Sequence, residues 1–180
     1  QYPWGYAESF TISFSLMLIG FSLEYINPKS ITALKWPINL YVGIIFLIIY
    51  LFLHFKFKEK PFIKWLSGTQ AAVSAICSYT FLVLLMGFIP QVEANSSDFI
   101  QRLGFSHIIY NYAFVFIQIY FLSSLGMATL RRGFPLKGKN IAFFINHFGL
   151  WLTLLAASFG AGDMQRITIE INTNEPVYAG

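Results

Sequence analysis

Residues 68–89, GTQAAVSAICSYTFLVLLMGFI, decide the fold, because this run carries no charged residue and is long enough to cross a bilayer. At a rise of about 1.5 Å per residue, about 20 residues of helix span the hydrocarbon core. Four other apolar runs are also candidates to cross a bilayer. The first of them along the chain is the shortest and has Glu8 and Glu24 near its ends. The sequence predicts five transmembrane helices, at residues 10–26, 36–55, 68–89, 108–130 and 141–160.

The composition of the whole chain also indicates a membrane protein. Of 180 residues, 56% are hydrophobic and 11% are charged, and the mean hydropathy is +0.60. A soluble domain carries about a quarter charged residues, so water-soluble enzymes and nucleic-acid-binding proteins are excluded. The single cysteine, Cys77, lies in an apolar run, which leaves the sequence without an internal disulfide or a CxxCH haem-attachment motif.

The positively charged residues predict the topology. Two short connections hold eight of the twelve cations, namely Lys56, Lys58, Lys60, Lys64, Arg131, Arg132, Lys137 and Lys139. Short loops rich in Lys and Arg face the cytoplasm. The N-terminus is then inside, and residues 27–35, residues 91–106 and everything after residue 160 are outside.

The C-terminal segment has a different pattern. Residues 166–171, RITIEI, alternate polar and apolar with period two, which predicts a half-buried β-strand. A lone strand cannot bury its apolar face, so either a partner completes a sheet or a longer protein continues into an external β domain. We expect that the protein continues into an external β domain. The predicted fold class is an all-α membrane protein with about five transmembrane helices, followed by the start of an external β domain.

Three histidines are the candidate chemical groups. His54 lies at the cytoplasmic end of the second span and is interpreted as interfacial, and His107 opens the fourth span at the outer surface as a solvated helix-start residue. His147 lies six residues into the fifth span, about 9 Å below the surface. An ionisable side chain at that depth is costly and indicates a functional site. The alternative, a neutral His147 bonded to a neighbouring helix, stays open.

Helical spacing places an aromatic and aliphatic wall on the same side as His147. Such a wall can flank a flat hydrophobic ligand, although it also arises by chance in a chain that is 19% aromatic. Its members are Phe144, Trp151, Leu154 and Ser158.

Three segments, in order, carry a family resemblance. Residues 65–72, WLSGTQAA, lead through an apolar span to residues 86–91, MGFIPQ. Residues 103–105, LGF, lead through the fourth span to residues 129–132, TLRR. Residues 147–150, HFGL, lead through residues 156–160, AASFG, to residues 162–167, GDMQRI. This order resembles the membrane core of the ResB/CcsB family of system II cytochrome c biogenesis proteins.

The resemblance implies a division of the chain. Residues 1–60 look like a two-helix N-terminal extension, residues 61–162 like the three-helix ResB core, and residues 163–180 like the start of a periplasmic β domain that is cut short. It also implies the inner membrane of a bacterium, with the N-terminus cytoplasmic and the C-terminus periplasmic.

The resemblance further implies a function. Members of the family work with a CcsA/ResC partner, in contact with membrane lipid, to move haem outward and attach it to the CxxCH cysteines of apocytochrome c. His147 corresponds to the family's haem-iron ligand, so we expect haem b to be bound transiently, flanked by Phe144 and Trp151. The second ligand and a tryptophan-rich haem motif belong to the partner, which leaves this chain without a complete active site. The haem propionates are expected near Arg131, Arg132 or Lys139.

The spans and histidines also allow two other functions to be compared with the first. A b-type cytochrome subunit of a respiratory complex could bind a permanent haem through His54 and His147, although their predicted depths differ. A transporter subunit typically has polar or broken helices near the bilayer midplane, and these spans show few of them.

Overall fold

The structure is a computed structural model that describes residues 4–27, 31, 34–91 and 98–163. Within these residues, five helices are long and apolar enough to cross a membrane, as the sequence predicts. They are α1 (Tyr6–Ile26), α2 (Ile38–Phe57), α4 (Thr69–Phe88), α6 (Tyr112–Gly133) and α7 (Gly138–Gly160). Short helices connect them: α3 (Pro61–Leu66), α5 (Asp98–Arg102) and the 3-10 segments Phe105–Tyr110 and Ala161–Asp163.

The all-α prediction is confirmed for the described part of the chain, in which there is no strand. The predicted strand at residues 166–171, and with it most of the expected β domain, lies outside the described residues. All five long helices begin at residues other than those predicted, and the largest differences are at α1 and α6. Helix α1 begins four residues earlier, where the Glu8 carboxylate accepts a hydrogen bond from the Gly5 N–H at 2.8 Å. Helix α6 begins four residues later, because Asn111 Oδ1 caps it by accepting the Ala113 N–H at 2.7 Å.

Helix α6 is the centre of the bundle. It packs against α1, α4 and α7, with further contacts to α2 and α3. Its closest approach is to α1, where Gly20 lies against the Ala113 backbone and a Cβ at Gly20 would overlap it. Small residues allow this approach, as is usual where transmembrane helices cross. Helix α1 therefore packs into the same bundle as α4 and α6.

The side-chain contacts fix which helix ends share a surface. At one end, Trp4 packs edge-on against Trp65 of α3, whose Nε1–H donates to Ser9 Oγ of α1 at 2.8 Å. At the other end, Asp163 after α7 accepts the Trp36 N–H before α2 at 2.8 Å. The chain therefore crosses the bundle five times in alternating directions. We call the first surface, which carries the eight clustered cations, the cationic face.

Candidate functional site

His147 lies on α7, about 14 Å along the helix from Gly138 at the cationic face. Its side chain is half-buried, and its Nδ1 is 3.0 Å from the Phe143 carbonyl oxygen. A carbonyl oxygen can only accept, so Nδ1 carries the proton in this bond. A neutral imidazole then keeps a lone pair on Nε2, and no group in the described part of the chain bonds to that atom. This is the arrangement that a metal-ligating histidine requires, with one ring nitrogen anchored and the other available.

The His147 ring stacks on Phe143, with ring centroids 3.9 Å apart. The two aromatic residues of the predicted wall pack against α6. Phe144 packs against Gly133 of α6 and stacks on Phe148. Trp151 is buried, and its Nε1–H donates to the Leu122 carbonyl of α6 at 2.9 Å.

The rest of the wall also lies at this seam: Leu154 packs against the cluster of Leu122, Trp151 and Leu155, and Ser158 Oγ accepts from Gln118 Nε2 of α6 at 2.7 Å. Among the described residues, no ring contact joins His147 to Phe144 or Trp151. The structure therefore assigns the wall to the α6–α7 seam. Its role in flanking a ligand stays a prediction.

The other two histidines are engaged within the protein. His54 is buried among aromatic rings, with Phe55 at 5.3 Å and Phe134 at 6.2 Å between centroids. His107 Nε2 is 3.2 Å from the Glu24 carboxylate. His107 therefore already uses the nitrogen that most easily reaches a bulky ligand, and the ring of His54 is enclosed.

Helix α7 presents its other face outside the bundle. Only 11% of its apolar stretch is buried, compared with 61% of the stretch that includes α6. Asn146, next to His147, is exposed on this face. The other small residues there follow a heptad-like spacing, at Ala142, Gly149, Thr153 and Ala156. An exposed amide and small residues at membrane depth are typical of a surface that packs against another helix.

The cations near the start of α7 are available to different degrees. Arg131 Nη1 donates to Ser67 Oγ at 3.1 Å. This arginine, one of the predicted propionate partners, is therefore already hydrogen-bonded to the segment between α3 and α4. Arg132 and Lys139 are exposed. These two residues could pair with carboxylates at the cationic face.

A second ionisable cluster, which the sequence reasoning missed, lies at the opposite face. Glu24 of α1 is completely buried, and it accepts hydrogen bonds from His107 Nε2 at 3.2 Å and from the Tyr112 N–H at 3.3 Å. Gly104, at φ +70°, passes so close that a Cβ there would lie 2.8 Å from Glu24 Cγ. The predicted topology places Glu24 and His107 on the same side of the membrane. Their contact could have been predicted from this feature of the sequence.

The donor set limits which cofactor this chain could bind. Among the described residues, no group of three or more His, Cys, Asp or Glu side chains comes together as a metal site. Haem iron fits the residues present, because the porphyrin supplies four ligands and one imidazole suffices from each of two proteins. No protein-family model, curated protein or solved structure matches this chain.

Proposed function

We propose that this chain is the membrane part of a ResB-like subunit of a system II cytochrome c biogenesis complex. In this function it binds haem b together with a CcsA/ResC-like partner, and haem passes outward for attachment to the CxxCH cysteines of apocytochrome c. The chain holds no complete active site of its own. The observation that carries the proposal is the His147 imidazole, with Nδ1 anchored on Phe143 and the Nε2 lone pair unused at membrane depth.

The exposed face of α7 supports the proposal that a partner protein binds there. A second axial ligand must come from outside this chain, because His54 is enclosed by aromatic rings and His107 is bonded to Glu24. Asn146 and Gly149 lie on the exposed face beside His147. A partner helix packed there would cover these residues and bring its own histidine near the iron.

The proposed orientation follows from charge. The cationic face is cytoplasmic, since clustered Lys and Arg resist translocation, and the membrane is the bacterial inner membrane. The N-terminus is then cytoplasmic, and the C-terminal segment leads into a periplasmic β domain. We expect haem to enter toward His147 from the cationic face, where Arg132 and Lys139 are exposed and could hold its propionates.

The test is the substitution His147→Ala in the full complex. Haem that co-purifies with the complex and the yield of mature cytochrome c should both fall, because no neighbouring Phe or Leu can ligate iron. His54→Ala is the matched control, since it removes an imidazole that packs against the Phe55 and Phe134 rings, and it should leave the haem content unchanged. Added imidazole should restore haem binding to the His147→Ala complex by occupying the vacated position.

Full haem content and maturation in the His147→Ala complex, at normal protein levels, would overturn the assignment. A haem that co-purifies with this chain in the absence of any partner would instead favour the b-type cytochrome function.

A further inference from the structure

The cationic face carries far more positive than negative charge. The acidic residues described there are Glu59 and Glu8, and both are already bonded, to Lys64 Nζ at 2.8 Å and to the Gly5 N–H at 2.8 Å. Lys56, Lys58 and Lys60 are exposed, and none forms an ion pair within the described part of the chain. This face therefore attracts an anion from outside the protein.

The pKa of Glu59 is lowered by the cations around it. Although Glu59 is fully exposed, its pKa is lowered, chiefly by the hydrogen bond and the charge of Lys64 and further by the charges of Lys58 and Arg131. The local cations thus favour a negative charge even where water screens them.

An apolar groove ends at Lys56, the first of these lysines. It lies along the outer side of α2, has a volume of about 600 Å³ and is lined by Ile48, Leu51, Phe52, Phe55 and Lys56. Lys56 Nζ lies 5.7 Å from the centre of the Phe52 ring, so the lysine side chain lies along the groove. From Ile48 to Lys56 the groove extends about 12 Å along the helix, a distance that part of an acyl chain can fill.

We propose that this groove and its lysines bind an anionic phospholipid. The acyl chain lies against the apolar lining, and the headgroup phosphate is held by Lys56, with Lys58 and Lys60 adding charge. A membrane lipid is the occupant that combines a long apolar chain with a negative group at the bilayer surface, and charge complementarity selects the anionic class. The proposal does not depend on haem delivery.

Native mass spectrometry of the intact protein tests this directly. The probes are phosphatidylglycerol and phosphatidylcholine with identical acyl chains, so that only the headgroup charge differs. We expect phosphatidylglycerol to be retained more strongly. Lys56→Gln should weaken its binding about fivefold, the fold-change that corresponds to about 1 kcal/mol per charge. A higher salt concentration should also weaken the binding of phosphatidylglycerol.

The matched control is Lys35→Gln, which removes the same charge from the opposite face, where Lys35 is exposed. It should leave the preference for phosphatidylglycerol unchanged. Phe52→Ala should reduce retention of both lipids equally, since it alters the groove and not the charge. Equal retention of the two lipids, or an equal loss with Lys35→Gln, would overturn the proposal. Displacement of the lipid when a partner protein assembles would assign the groove to a partner helix and overturn it as well.

Discussion

Helices α6 and α7 are neighbours of similar length, yet they use their polar residues in opposite ways. The stretch that includes α6 is 61% buried, and its polar side chains, among them Gln118, Ser124 and Thr129, point into the bundle. The corresponding stretch of α7 is 11% buried, and Asn146 and Thr153 are exposed. Helix α6 is therefore the central packing helix of the described bundle, whereas most of α7 is exposed.

The buried polar groups of α6 find most of their partners within the chain. Tyr120 hydrogen-bonds Ser74 of α4 at 2.9 Å, and Ser123 bonds the Tyr50 hydroxyl of α2. Lipid provides little hydrophobic drive for helix association, so close packing and such bonds decide which helices touch. Among the described residues the exceptions on α6 are Gln118 Oε1 and Ser124 Oγ, which are buried without a partner. The polar residues of α6 thus lie inside the bundle, whereas Asn146 and Thr153 of α7 are exposed on its outer side.

The largest effect should come from Glu24→Ala, which removes the buried acceptor at the start of α6. His107 Nε2 and the Tyr112 N–H would both lose the buried Glu24 carboxylate as a hydrogen-bond partner. Each donor left without its partner costs about 1–3 kcal/mol, so we expect thermal unfolding in detergent at a clearly lower temperature. Glu8→Ala, at the exposed start of α1, is the control and should have a much smaller effect. If both variants unfold alike, the cluster does not anchor α6.

The next effect should come from Gly20→Ala. A Cβ at this position would overlap the Ala113 backbone, so α1 and α6 would have to separate. Overpacking of this kind costs about 1–3 kcal/mol. Gly43→Ala in α2 has no atom within 4 Å of the added Cβ, and alanine is the better helix former, so this control should be neutral or stabilising. A neutral Gly20→Ala in the same unfolding assay would show that α1 and α6 do not approach so closely.

The sequence predicted the elements that depend on local composition. The apolar runs placed five spans, and the clustered lysines and arginines sorted the loops onto two surfaces that the contacts of Trp4 and Asp163 confirm. Both features follow from transfer free energies of single residues, which a sequence displays directly.

The sequence did not predict which helix faces meet. Helical spacing placed Trp151 beside His147, but the indole packs on α6, because Gly126 leaves room for it there. Glu24 suggested only an insecure span end, whereas His107 and the α6 terminus satisfy its carboxylate. Both outcomes depend on pairs of residues far apart in sequence, and the periodicity of one helix cannot specify its neighbour.

The smallest effect should come from Trp151→Phe, at the seam between the two helices compared here. The substitution keeps an aromatic ring against Gly126 and removes the hydrogen bond to the Leu122 carbonyl. That carbonyl lies inside α6 and keeps its intrahelical bond, so the loss should be about 1 kcal/mol or less. Two roles for Trp151 can be separated by measuring both the haem content of the full complex and the free energy of unfolding. A residue that only joins α7 to α6 should leave haem binding unchanged in the phenylalanine variant. A loss of haem at unchanged stability would instead show that the indole flanks the cofactor, and that α7 reaches its ligand through the same face that it packs on α6.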